Sequence, residues 1–296
     1  MRALVTGSHG QLGRALRARI EGGDAPDAWA GAEVDWVDLD ELDISDAAAV
    51  GSWFAEPGHA YDVVVNCAAM TNVDGCEADF ATAFTANALG PMNLARACRA
   101  QGATLVHVST DYVFPGNQPG ERVEDDAPAP ISAYGRSKLA GEGLAMSSNP
   151  RTHVVRTAWL YGEGKNFVAT MLRLGATHDS VTVVDDQLGN PTSADDLAGE
   201  LLRIALTDDY GLWHCTNEGT CSWADLAEEA FRLADLPCVV NRCTSAEWKA
   251  INPKAADRPH FSSLANARLE ATIGNRMRPW RDALADYLEH HPRQEA

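Results

Sequence analysis

The chain has 296 residues, 45% of them hydrophobic and 22% charged, enough to bury a large core in one or two domains. Its 42 acidic and 24 basic residues leave a formal net charge of -18, which argues against nucleic acid as a partner, since phosphate backbones are bound by clustered Lys and Arg. No apolar run reaches the roughly 18 to 20 residues of a membrane span, and MRALVTGSHG lacks the basic start and apolar core of a signal peptide, so no membrane partner and a cytoplasmic location are expected. The seven cysteines form no CxxC pair and have no histidine at ligand spacing, which predicts reduced thiols and neither a disulfide framework nor a zinc site.

In chain order, RALVTG is a short apolar run ending at glycine, as a buried parallel strand does. SHGQLGRALRARI follows as a helix with Leu12, Leu16 and Ile20 on one stripe. VDWVDLD, YDVVVNCAA, TLVHVSTDYVF and THVVRTAWLYG read as further strands. Helical stretches near DISDAAAVGSWFAE and FATAFTANALGPMNLARACRAQG separate the early ones. Strands alternating with helices predict an α/β fold, a Rossmann-type doubly wound parallel sheet. Past Gly162 the alternation loosens into NFVATMLRLGA, SWADLAEEAFRLA and RPWRDALADYLEHH, helical and amphipathic, with VTVVDD and GLWHCT between them. The expected organisation is a dinucleotide-binding domain of residues 1–156 and about 185–215, and a smaller, mostly helical substrate lobe of about 157–184 and 216–296.

TGSHGQLG places Gly7, Gly10 and Gly13 at the first strand-to-helix turn, where glycines permit a tight turn and close approach to a pyrophosphate, and the helix N-terminus offers free N–H groups. The spacing is GxxGxxG, and an ordinary βα turn is the plain alternative. Asp38, at the end of the second strand, can accept from the adenosine ribose hydroxyls or be a surface carboxylate; with no arginine after it, the balance tilts toward NADH over NADPH. Asp43 and Ile44 are placed to border the adenine.

Ser109, Thr110 and Asp111 emerge at the carboxyl end of their strand, where open α/β sheets bind ligands. In SAYGRSKLAG, Tyr134 and Lys138 lie four apart on one helix face. An ammonium beside a phenol favours the phenolate, so the expectation is a Tyr134 pKa lowered from its usual value near ~10. The trio Thr110, Tyr134 and Lys138 then suits carbonyl reduction, with Tyr134 as general acid and Lys138 also gripping the nicotinamide ribose.

These residues resemble the extended short-chain dehydrogenase/reductase superfamily, and within it the dTDP-4-dehydrorhamnose reductase branch. TGSHGQLG, VVNCAAMTNVDGCE, VHVSTDYVFPG, YGRSKLAGE, RTAWLYG, NFVATMLRL, DDQLGNPTSADDLA and RPHFSSLANARL look like that branch's blocks, in its order, over almost the whole chain. The resemblance implies reduction of dTDP-4-dehydro-β-L-rhamnose to dTDP-β-L-rhamnose by NADPH or NADH. It implies Thr110, Tyr134 and Lys138 as the catalytic trio, and cofactor contacts at Gly7, Gly10, Gln11, Leu12, Asp43, Ile44, Ala68, Ala69 and Lys138. Val73, Asp111, Tyr112 and Trp159 would lie against the sugar or nucleotide; Trp159 has an equal reading as a core aromatic. Arg258 would meet the diphosphate or simply brace an Arg-Pro turn on a carboxylate. Related 4,6-dehydratases carry an Asp-Glu pair after the threonine, whereas here Asp111 precedes Tyr112, which speaks against elimination. Some members bind magnesium at a dimer interface through a first-helix glutamate; Ala15 stands there, which argues against that metal, while a homodimer stays open. The alternatives are reduction of another dTDP-4-keto-6-deoxysugar and a non-catalytic, dinucleotide-binding regulatory subunit.

Overall fold

The computed structural model describes residues 1–290. Strands β1 (Arg2–Thr6), β2 (Glu33–Val37), β3 (Val63–Asn66), β4 (Thr104–Thr110) and β5 (Thr152–Thr157) join Gly211–His214 in one six-stranded sheet, in the order 211–214, β5, β4, β3, β1, β2. Every pairing within it is parallel. Runs such as ALV and VVV suit strands covered on both faces, because successive side chains point to opposite sides. Ala3, Val5, Val65, Val106 and Val155 accordingly pack with Leu12, Leu16, Leu197 and Leu201 in one core. Leu4, Val64 and Leu105 pack with Val50, Leu94 and Cys98 in another. Fully burying such side chains contributes about 1.5 to 3 kcal/mol each, so these two cores fix the sheet that carries the site.

The first core is closed by helix α1 (Gln11–Gly22) and by the helix Ala194–Ile204, which the reading of the sequence did not separate from its surroundings. Helices α2 (Ala47–Ala55), α3 (Val73–Ala78), α4 (Phe80–Phe84), α5 (Gly90–Gln101) and α6 (Ala133–Ser148) complete the first half. The stretch expected as one helix from Phe80 is interrupted by a π-turn at Thr85–Leu89. This turn is where α6 comes closest: a Cβ at Gly141 would sit 2.1 Å from the Asn87 carbonyl oxygen. Asn87 in turn bonds the backbone of Met70 and the Ser137 hydroxyl, tying α6 to the loop after β3.

The remaining chain forms a second cluster around Tyr161, Val168, Leu226, Trp280 and Leu284, from helices Phe167–Gly175, Trp223–Leu233 and Trp280–His290. A separate parallel pair, Ser180–Val184 with Val239–Cys243, flanks it. His291, the end of the predicted last helix, and the residues after it lie outside the described residues. All seven cysteines are free thiols.

Candidate active site

At the end of β1 the backbone turns through Gly7, whose φ of 69° is in the left-handed region, and a Cβ there would lie 2.6 Å from the Ala68 nitrogen. A Cβ at Gly13 would lie 2.5 Å from both the Gly7 oxygen and the Ser8 Cα. Both positions therefore require glycine: the turn folds against the β3 loop on one side and α1 against the turn on the other. Gly10 is the N-cap of α1 and supplies no side chain to the first N–H groups. The uncapped helix end, with its positive dipole, suits a dinucleotide pyrophosphate, and the cradle leaves no room for side chains that would obstruct it. Asp38 borders the turn, its carboxylate accepting from the His9 N–H at 2.9 Å and the Leu39 N–H at 2.8 Å. Asp43 accepts from the Ser45 N–H at 2.9 Å.

Strand β4 stops at Thr110; the predicted strand residues Asp111–Val113 instead form a 3₁₀ turn capped by the Thr110 hydroxyl, which accepts from the Tyr112 N–H at 3.2 Å. The same hydroxyl donates to Asp111 Oδ1 at 2.9 Å. Helix α6 starts at its N-cap Ser132, whose oxygen accepts from the Gly135 N–H. Gly135, between Tyr134 and Lys138, is required by contact: a Cβ there would lie 2.2 Å from the Tyr112 carbonyl oxygen. The tyrosine helix is thereby pressed onto the turn that follows Thr110, and the Tyr112 and Tyr134 rings meet edge to face at 5.9 Å between centroids.

The expectation for the phenol is corrected. Burial pushes the Tyr134 pKa up, the Thr110 side chain opposes that, and Asp111 and Cys76 add to the rise. Lys138 is buried and its ammonium donates to the Val108 carbonyl at 2.7 Å rather than to the phenol. Desolvation brings Lys138 down to about 8, with Glu142 one turn further along opposing the drop. Desolvation likewise raises the Asp111 carboxyl to about 7, against the pull of Ser262 and Thr110. The corner thus holds a neutral phenol, a cation at neutral pH and an acid poised to change charge there.

One cleft of about 1290 Å³ is lined by Gly7, Gly10, Gln11, Leu12, Asp38, Asp43, Ile44, Ala68, Ala69, Val73, Thr110, Asp111, Tyr112, Tyr134, Lys138 and Trp159. Of the residues singled out from sequence, Arg258 alone is not among its walls. Its guanidinium lies 3.2 Å from Asp74 Oδ1, donates to the Ala256 carbonyl and bonds the side chain of Tyr112, itself a cleft wall. Trp159 packs against the second hydrophobic cluster. It lines the cleft with φ of 44°, uncommon for a bulky residue, and its ring stacks on Trp223 at 3.6 Å and 8°. A Cβ at Gly189 would lie 2.5 Å from that indole, so glycine makes the space for it.

Sequence reasoning missed Trp223 and Lys165, which also line the cleft, and a buried support behind it. Arg156 on β5 makes a paired contact with Glu142 of α6, Nε to Oε1 at 2.9 Å and Nη2 to Oε2 at 2.7 Å, and the Ser109 hydroxyl donates to the same carboxylate at 2.6 Å. The signal for Glu142 was its place in YGRSKLAGE, one turn beyond Lys138 on the same face; nothing in sequence pointed to Arg156 as its partner.

A glycine-turn Rossmann sheet with a tyrosine and a lysine on the helix facing its carboxyl edge defines an oxidoreductase of the extended short-chain dehydrogenase/reductase superfamily. Within it, a family model described as the RmlD substrate binding domain matches residues 1–292, and the chain belongs to that family. The chain is 45% identical over 294 residues to the dTDP-4-dehydrorhamnose reductase of Streptomyces griseus, covering 96% of this chain and 92% of that one. It is 41% identical over 295 residues to the Mycobacterium tuberculosis protein of that name, covering 97% and 92%. Among solved structures, a dTDP-4-dehydrorhamnose reductase from Clostridium acetobutylicum superposes with a TM-score of 0.92 at 44% identity, covering 98% and 99%. The Bacillus anthracis reductase in complex with NADP gives 0.90 at 34% identity, also covering 98% and 99%.

Proposed function

We propose that this protein reduces the 4-keto group of dTDP-4-dehydro-β-L-rhamnose to give dTDP-β-L-rhamnose, with NADPH or NADH as hydride source. The observation that carries the reading is that Thr110, Tyr134 and Lys138 share one cleft with the Gly7–Gly10 turn. The reduced nicotinamide supplies a hydride to the carbonyl carbon. Tyr134 supplies the proton: its raised pKa keeps the phenol protonated at neutral pH, and it releases that proton to the more basic alkoxide oxygen forming at C4. Thr110 orients the reacting oxygen by turning its single hydroxyl proton from Asp111 Oδ1 to that oxygen, while the hydroxyl still accepts from the Tyr112 N–H. Lys138, cationic below about pH 8 and held by the Val108 carbonyl at the cleft wall, is placed to grip the nicotinamide ribose.

In the same reading residues 1–156 and about 185–215 hold the dinucleotide, the rest of the chain holds the sugar nucleotide, and the enzyme works in the cytoplasm. No helix among the described residues is long and apolar enough to cross a membrane. A second reading, reduction of a different dTDP-4-keto-6-deoxysugar, is favoured by a 41% identical relative from Streptomyces antibioticus named as a probable dTDP-4,6-dihydroxy-2-methyloxan-3-one 4-ketoreductase. The deciding experiment follows oxidation of NADPH and of NADH with each dTDP-4-keto-6-deoxysugar, and assigns the product's C4 configuration by NMR. Rapid turnover yielding dTDP-β-L-rhamnose is expected. Tyr134→Phe should lower turnover by about two to four orders of magnitude while still binding NADPH, and undiminished turnover in that variant would remove Tyr134 from the role.

A further inference from the structure

We propose that Lys165 is the cation that receives the diphosphate of the sugar nucleotide, an inference that rests on the reductase reading above. Two diphosphates must be accommodated in one cleft, on a chain whose net charge is -18. That of the dinucleotide has the uncapped N-terminus of α1 at Gly10. The second needs a cation, and among the described residues the lysines and arginines that line the cleft are Arg14, Lys138 and Lys165. Lys138 is buried at the reacting corner and bonded to Val108. Arg14 is held by the His9 and Glu163 carbonyls and lies 3.6 Å from the Glu163 carboxylate. Lys165 is exposed and has no hydrogen bond or ion pair among the described residues. Arg258, the other cation expected to meet a diphosphate, is already engaged by Asp74 and by the Tyr112 side chain.

The segment bearing Lys165 is also fixed in place. Asn166 donates to the carbonyls of Gly162 and Gly164, and Tyr287 donates to that of Gly162. A Cβ on Gly162 would lie 2.7 Å from Ala194 and 3.5 Å from Gln11, so the loop sits tightly over the start of α1. An otherwise unpaired ammonium is therefore carried on an ordered loop that lines the same cleft as Trp159 and Trp223. A loop held this way presents the charge with little ordering cost when the anion arrives.

The test titrates dTDP into the NADPH-bound enzyme, for wild type, Lys165→Gln and Lys165→Arg, with NADPH affinity measured in parallel. Losing one charge-assisted contact to phosphate should weaken dTDP about tenfold in Lys165→Gln. Lys165→Arg should bind nearly as wild type, and the difference should shrink at high salt, as an exposed charge requires. NADPH affinity should be the same in all three. Equal dTDP affinity in wild type and Lys165→Gln overturns the inference alone. A loss of NADPH affinity in place of dTDP affinity assigns the ammonium to the cofactor's phosphates and overturns it as well. Wild-type protein that does not bind dTDP at all brings down the reductase reading together with this one.

Discussion

The Lys138 ammonium donates to the carbonyl oxygen of Val108 at 2.7 Å, two residues before Thr110 on the same strand. Helix α6, which carries Tyr134 and Lys138, is thereby stapled to the strand that delivers Thr110, and the staple is a buried cation with a single neutral acceptor. Desolvation is its dominant influence, which is why its pKa falls to about 8 from the model-peptide value of 10.5.

A first prediction concerns that cation. Catalysis that needs the ammonium should fail on the alkaline side with a midpoint near pH 8, read from kcat/KM against pH. The stability sign is opposite. The unfolded chain binds this proton more tightly than the folded chain, so the contribution of Lys138 to stability improves as pH rises from about 8 to 10.5. Lys138→Met should therefore lose at least about a hundredfold in turnover while its melting temperature at pH 7 stays equal or rises. A large drop in melting temperature would show that the staple matters more than the desolvation.

Asp111 gives the second. Its carboxyl is raised from 3.8 to about 7 because it is buried, only 2% exposed, and desolvated. The folded state holds this proton more tightly than the unfolded one, so the stability it contributes is complete below pH 3.8 and is lost as pH rises toward and through 7. Asp111→Asn cannot ionise, so its unfolding free energy, measured by urea titration at pH 5 and pH 8, should fall less over that interval than that of wild type. Equal falls in the two proteins would place the ionisation elsewhere.

The alternating parallel sheet was legible because its strands are continuous apolar runs that end at glycine or at polar ligand-bearing residues, and periodicity reports such runs directly. Thr110, Tyr134 and the Gly7–Gly10 turn came from local spacing in the same way. What spacing does not encode is the third dimension. Tyr134 and Lys138 share a helix face, yet the depth of the cleft floor makes burial, not their proximity, set the phenol's pKa. Arg258 is matched to Asp74, 184 residues away in sequence, and Trp223 reaches Trp159 only through the packing of the C-terminal helices. The π-turn at Thr85–Leu89 lies within a sequence whose propensity is uniformly helical, and the close approach of Gly141 coincides with it.

The third prediction tests the support behind the trio. Arg156 and Glu142 are each 2% exposed and bonded through two parallel contacts, and Glu142 also accepts from Ser109 on β4. Removing one partner leaves a buried charge uncompensated, so Glu142→Leu should cost about 3 to 5 kcal/mol in urea unfolding. Replacing both, with Arg156→Met added, removes the stranded guanidinium and should recover much of that loss, giving a coupling energy in the double-mutant cycle. Function separates the two effects. The Glu142 carboxylate raises the Lys138 pKa against desolvation, so without it the ammonium is lost at lower pH. The alkaline limit of turnover should therefore move below pH 8 in Glu142→Leu, and it should stay displaced in the double variant even though stability returns. A limit that returned with stability would mean that the carboxylate serves only to neutralise Arg156, and that Lys138 is held charged by something else.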